Sequence, residues 1–100
     1  MIVVCATLKA KAGKERDVEA ALKEVIQHVK TEPGAISYVL HRSVNHSEKF
    51  LFYERYRDSK AFDEHIATPY FKDLLAKVRP LLEKEPNLDL YEQIGSIEDL

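Results

Sequence analysis

The run KFLFYERYRDSKAFDEHIATPYF, Lys49 to Phe71, changes its apolar period partway along, and that change constrains the fold more than any other feature of the chain. From Lys49 to Arg57 the side chains alternate. Phe50, Phe52, Glu54 and Tyr56 fall on one side, and Leu51, Tyr53, Arg55 and Arg57 on the other, which is the period of a strand. Asp58 and Ser59 then offer capping oxygens to a helix that starts near Lys60 and runs to about Ala67. Thr68 caps a further helix with Pro69 at its first position. Phe71, Leu74, Leu75, Val78 and Leu82 make its apolar stripe, and Pro80 ends or bends it. A strand with large side chains on both faces has to be covered on both.

The remaining segments supply partners for that strand. Ile2 to Lys9 is β-branched and apolar and reads as a first strand. Lys14 to Thr31 carries Val18, Leu22, Val25 and Val29 at helical spacing, widened by Ala21 and Ile26, until Pro33-Gly34 stops it. Ile36 to Val44 is a second strand with Ile36, Tyr38 and Leu40 on one face, and the polar turn Asn45 to Glu48 joins it to the third as a hairpin. Leu88 to Ile94 alternates as a fourth strand. The order β-α-β-β-α-β specifies an α+β, ferredoxin-like fold: a four-stranded antiparallel sheet with helices on one face. Residues 1–95 are expected to form a single domain and residues 96–100 a C-terminal tail. Helices cover one face only, so the other is expected to pack on the same face of a second copy, giving a homodimer.

At 100 residues and 45% hydrophobic content, the chain suits one compact core. A formal charge of −2 with mixed signs gives no field for nucleic acid or an anionic membrane. No apolar run approaches the ~18 residues of a spanning helix. Cys5 is alone, which leaves no intrachain disulfide and points away from a cysteine-based zinc site. The N-terminal apolar patch lacks a preceding positive region and a cleavage pattern, so the expected compartment is the cytoplasm. There is no glycine-rich nucleotide loop and no histidine pair with metal-ligand spacing, so neither a cofactor nor a metal is expected.

His65 and Glu54 carry the candidate chemistry. His65 borders the buried side marked by Phe62 and Ile66, where burial or a carboxylate moves an imidazole across neutrality. Glu54 shares a parity with Phe50, Phe52 and Tyr56, and a buried carboxylate needs a partner. His65, on the next element, is the natural candidate; a rim lysine or arginine is the other. Tyr38 could hydrogen-bond a ligand or simply fill core.

The segments EPGAISYVLH (Glu32 to His41) and FLFYERYRDSKAFDEHIATPYF (Phe50 to Phe71) resemble the antibiotic biosynthesis monooxygenase family, and the resemblance runs from the first strand to the fourth. It implies a dimeric α/β barrel with a cavity between sheet and helices in each subunit. Some members oxidise quinols or anthrone-type phenols with O₂ and no cofactor, which implies His65 as the base that takes a phenolic proton, with Glu54 behind it. Tyr38, Phe52 and Phe71 are further candidates for the pocket wall. Haem-degrading members place asparagine, tryptophan and histidine where Ala6, His65 and Leu75 stand, so haem degradation is not expected. Members that tailor polycyclic antibiotics use a tryptophan that this chain lacks. The histidine is closer to the small quinol-oxidising branch, and also similar to the isomerase of phosphorylated autoinducer-2. The expected function is oxidation of a small aromatic or quinol-type substrate by a cofactor-independent monooxygenase. The alternatives are isomerisation of a small phosphorylated hydroxyketone, which needs Arg42, Arg55 or Arg57 to face the pocket, and a non-catalytic dimeric binding or stress protein.

Overall fold

The computed structural model describes residues 1–100. Strand β1 spans Ile2–Lys9, helix α1 Glu15–Val29, β2 Ala35–Arg42, β3 Lys49–Tyr56, α2 Ser59–Ile66, α3 Pro69–Val78 and β4 Asn87–Glu92. Short 3₁₀ turns follow α3 at Arg79–Leu81 and close the chain at Ile97–Asp99. The sheet order is β2-β3-β1-β4 and every pairing is antiparallel, the ferredoxin-like arrangement.

Local chemistry accounts for most of the element ends. Gly13, at φ +84°, makes the left-handed turn that leads into α1. Glu15 and Asp17 in the first turn of α1 suit its positive end. Asp58 accepts from Ala61 N–H at 2.8 Å and opens α2. Thr68 serves two helices: its hydroxyl donates to the His65 carbonyl at 2.8 Å and accepts from Phe71 N–H at 3.3 Å. Pro69 occupies the first turn of α3, where a missing N–H costs nothing.

Helix α1 buries Val18, Ala21, Leu22, Val25 and Val29 against Ala6, Leu8, Phe50 and Phe52. A smaller cluster under α2 joins Val4, Tyr56, Ala61 and Phe62. Several details depart from the sequence pattern, among them the second strand, which starts at Ala35 and ends at Arg42, two residues short of Val44. A register shift between Ala35 and Ser37 takes Ile36 off the face of Tyr38 and Leu40; Ala35 packs inward and Ile36 is exposed. The fourth strand begins one residue earlier and ends two earlier than its alternation suggests.

The turn from α1 into β2 lies close to α2. A Cβ at Gly34 would collide with that of Ala61, so glycine is the residue that permits the approach. Arg57 N–H donates to the Gly34 carbonyl at 2.9 Å and fixes the turn. Away from the helices the sheet is open: Val39 and Tyr53 are exposed there, and β4 is exposed on both faces. No helix is long and apolar enough to cross a membrane.

Candidate active site

The contact between Gly34 and Ala61 brings two distant segments together. Glu32 lies two residues before Gly34, and His65 lies one turn beyond Ala61. Their side chains meet: His65 Nδ1 lies 2.9 Å from Glu32 Oε2 and 3.1 Å from Oε1. A carboxylate only accepts, so Nδ1 carries the hydrogen. Tyr70, in the first turn of α3, donates its hydroxyl to the same Glu32 Oε2. Burial, and then that bond, push the Tyr70 hydroxyl up to about 12.

His65 is 1% exposed, and its Nε2 is buried with no hydrogen-bond partner. Such orphaned atoms are uncommon in folded proteins and carry a cost of ~1–3 kcal/mol. The ring lies among aromatics: Tyr38 at 5.5 Å between centroids, Tyr56 at 5.3 Å, and Phe71 edge-on at 5.1 Å. Tyr38 in turn lies 4.4 Å from Phe52. His65, Tyr38, Phe52 and Phe71 therefore form one contiguous cluster.

Glu54 does face the helices, at 3% exposure, but it is not the partner of His65. It accepts from Tyr56 at 2.6 Å, two residues along the same strand, while Glu32 holds His65. The expected Glu54–His65 contact is thus replaced by two separate acid–donor pairs. The reason is reach: Tyr56 stands beside Glu54 on one strand face, whereas the imidazole points its Nδ1 toward the α1–β2 turn. Burial raises the Glu54 carboxyl to about 7; the Tyr56 hydrogen bond opposes this and the charge of Glu32 adds to it. Burial, with Glu54 next in effect, pushes the hydroxyls of Tyr38 and Tyr56 up and keeps both neutral.

Sequence reading missed Glu32, Tyr56 and Tyr70. Glu32 was hidden in a segment read only as a helix stop. Tyr56 had a usable signal, since residues two apart on a strand are neighbours on one face. Tyr70 had none beyond its place after Pro69.

Two hollows flank the cluster without reaching His65. One, of about 280 Å³ between α1 and β2, has Tyr38 in its wall. The other, of about 300 Å³ between α1 and α3, is lined by Tyr70 and by His28, which stacks on it at 5.0 Å. Arg42 pairs with Glu19, Arg57 is 66% exposed beside Asp58, and Arg55 has the strand parity that faces away from the helices, so none of the three lies against His65. No three His, Cys, Asp or Glu side chains gather in a group that could hold a metal ion.

The ferredoxin-like fold defines a class of small α+β proteins, and comparison places the chain within one family of it. The description "Antibiotic biosynthesis monooxygenase" matches residues 1–92, and the chain belongs to that family. It is 34% identical over 91 residues to "Uncharacterized protein sll1783" of Synechocystis, covering 91% of this chain and spanning 62% of that relative's length. It is 30% identical over 82 residues to "Putative monooxygenase YcnE" of Bacillus subtilis, covering 82% of this chain and 86% of YcnE. "Putative monooxygenase Rv0793" of Mycobacterium tuberculosis is 32% identical over 83 residues, covering 83% of this chain and 81% of the relative. The solved structure of Rv0793 superimposes with a TM-score of 0.90, 25% identity and coverage of 96% and 97% of the two chains.

Proposed function

We propose that this chain is a cofactor-independent monooxygenase of a small aromatic or quinol-type substrate, with His65 as its base. The observation that carries the proposal is the His65 ring: Nδ1 is held by Glu32, and Nε2 is left without a hydrogen-bond partner inside an aromatic cluster. The arrangement follows the logic of a base oriented by a carboxylate. Glu32, not Glu54, orients the ring, and Tyr70 orients Glu32. Family membership and the names of YcnE and Rv0793 support the reaction class.

The chemistry needs little from the protein. A phenolic proton passes to Nε2. The electron-rich anion reduces O₂ and forms a C–O bond at the activated ring carbon. The hydroperoxide then loses water and leaves a quinone carbonyl, so one oxygen atom stays in the product and the other departs with two substrate hydrogens. Glu54, a neutral acid up to about pH 7, stands across the strand pair from Tyr38 and can return a proton to the departing oxygen. Phe52 and Phe71 keep water out. Tyr38 separates His65 from the hollow between α1 and β2, and movement of this ring opens the way for substrate. The open sheet face, with Val39 and Tyr53, suits a homodimer, and the single free cysteine suits a reducing cytoplasm.

The test incubates the pure protein with a panel of naphthols and hydroquinones, with and without O₂, following quinone formation and the fate of labelled oxygen. Turnover is expected only with O₂, with label in the product and a loss of at least ~100-fold in His65→Ala. Equal turnover without oxygen rejects the proposal. The near-complete burial of His65 favours, as a second reading, a non-catalytic binding protein in which the His65–Glu32 bond is structural. That reading requires no turnover on any substrate and a His65→Ala protein that loses stability alone.

A further inference from the structure

Three tyrosines border the His65–Glu32 pair, and they are held differently. Tyr56 donates its hydroxyl to Glu54 at 2.6 Å, and Tyr70 donates to Glu32. The Tyr38 hydroxyl bonds to no protein group; Glu54 and Glu32 reach it only through their charge. Yet the Tyr38 ring is half-buried, 4.4 Å from Phe52 and 5.5 Å from His65 between centroids. Of the three phenols beside the imidazole, Tyr38 alone can leave its place without breaking a hydrogen bond.

Its backbone has freedom too. Strand β2 is an edge of the sheet and pairs on one side only, and the register shift between Ala35 and Ser37 directly precedes Tyr38. Irregularities of this kind re-aim the side chains beside them. One side of the ring meets His65, and the other lies in the wall of the hollow of about 280 Å³ between α1 and β2. Ile26 and Val29 of α1 and Ala35 and Ile36 of β2 make that hollow largely apolar, and it opens at the sheet edge beside α1. By itself it falls short of the ~300 Å³ at which small-molecule sites begin. With the space of the Tyr38 ring added, it passes that size and extends to the imidazole.

We infer that Tyr38 occupies the place of the substrate's reacting ring, so the substrate carries a single phenolic ring at its reacting end and an apolar body that trails into the hollow between α1 and β2. This deepens, and rests on, the reading of His65 as the reacting centre. Rotation of Tyr38 outward past the edge of β2 gives up the Phe52 contact and no hydrogen bond. An incoming phenol restores that contact. Its hydroxyl also gives His65 Nε2 the partner it lacks, which the tethered Tyr38 hydroxyl does not supply. For the bare ring the exchange is close to even; the hydroxyl and the apolar body make it favourable.

Calorimetry and thermal melts of the full chain, parent and Tyr38→Ala, test it with p-cresol, toluene, p-propylphenol and a phenanthrol as probes. An apolar cavity of about 150 Å³ takes up benzene, so removal of the ring should make a site that free rings fill. p-Cresol should bind the variant at least tenfold tighter than the parent and restore part of its lost melting temperature. It should also bind the variant at least threefold tighter than toluene, the reverse of their order of hydrophobicity, and Tyr38→Ala/His65→Phe should bring that order back. p-Propylphenol should bind tighter still, and the phenanthrol should not bind. The His65 ring nitrogens should shift on titration, Nε2 most. Tyr38→Leu carries the same comparisons if Tyr38→Ala does not fold. Equal p-cresol affinity in parent and variants, toluene preferred in Tyr38→Ala, or the phenanthrol bound as tightly as p-propylphenol would each overturn the inference. Binding is read without O₂, so the two readings fail separately. A phenol seated at Nε2 with no quinone formed supports this inference and rejects the oxygenase reading, whereas O₂-dependent turnover with unchanged phenol affinity in the Tyr38 variants rejects this inference alone.

Discussion

Two carboxylates approach the centre of this protein from different directions. Glu32 comes from the turn between α1 and β2, with 13% of its side chain exposed, and receives hydrogen bonds from His65 and Tyr70 on two different helices. Glu54 comes from the middle of β3, 3% exposed, and receives one, from Tyr56 on its own strand. The first carboxylate ties together elements that are more than thirty residues apart in the chain. The second is a local pair under the sheet, and its carboxyl is raised to about 7 mainly because burial penalises its charge. Depth of burial alone therefore does not identify the acid that serves the histidine. The number of donors, and the elements they come from, does.

The largest expected effect separates the two acids by pH. Between the ordinary value of 4.5 and about 7, folded Glu54 keeps a proton that the unfolded chain has released. The native state binds more protons there, so stability falls as pH rises through this window, by up to about 3 kcal/mol. Below it the stabilisation is fully present, and above it the stabilisation is gone. Denaturant melts of the parent and of Glu54→Gln at pH 4.5 and 7.5 should differ by that amount, with the variant flatter. Parallel curves would show that Glu54 ionises as an exposed carboxylate does.

A second, smaller effect breaks the Glu32 side. Gly34→Ala places a methyl group against Ala61 and should cost about 2 kcal/mol by overpacking. It should also move α2 away from the turn, so the nitrogen chemical shifts of the His65 ring should lose the signature of an Nδ1–H held by a carboxylate. An unchanged melting temperature and unchanged ring signals would mean the turn has room to yield.

The smallest effect sharpens the comparison. Tyr70→Phe removes one donor from Glu32 and should cost about 1 kcal/mol, because His65 still satisfies the carboxylate. Tyr56→Phe removes the only donor to Glu54. That bond lowers the Glu54 carboxyl, so its loss should push the stability window above pH 7. A window that stays in place would show that Tyr56 does not hold Glu54 in solution.

Much of this was legible in the sequence. Alternation in Phe50–Tyr56 placed Glu54 on the same face as Phe50, Phe52 and Tyr56, Asp58 and Thr68 marked two helix starts, and the i, i+4 spacing of Phe62 and Ile66 put the neighbouring imidazole at the buried boundary. The partner of His65 was not legible. Parity states which face a side chain takes, but not which distant segment that face will meet. Pro33-Gly34 read as a break in a helix, and a break gives no hint that the acid just before it turns inward. The shift at Ile36 was equally hidden, since Ala35 and Ile36 are both apolar and either can face the core.

The chain's own pattern determined its element order, its antiparallel sheet and the inward direction of its histidine and central acid, because these follow from periodicity and capping that act over a few residues. The pairing of Glu32 with His65 and Tyr70 and the isolation of Glu54 with Tyr56 were decided only when the segments packed. Each depends on how closely two remote stretches of backbone approach, and at Gly34 that distance was set by the absence of a single methyl group.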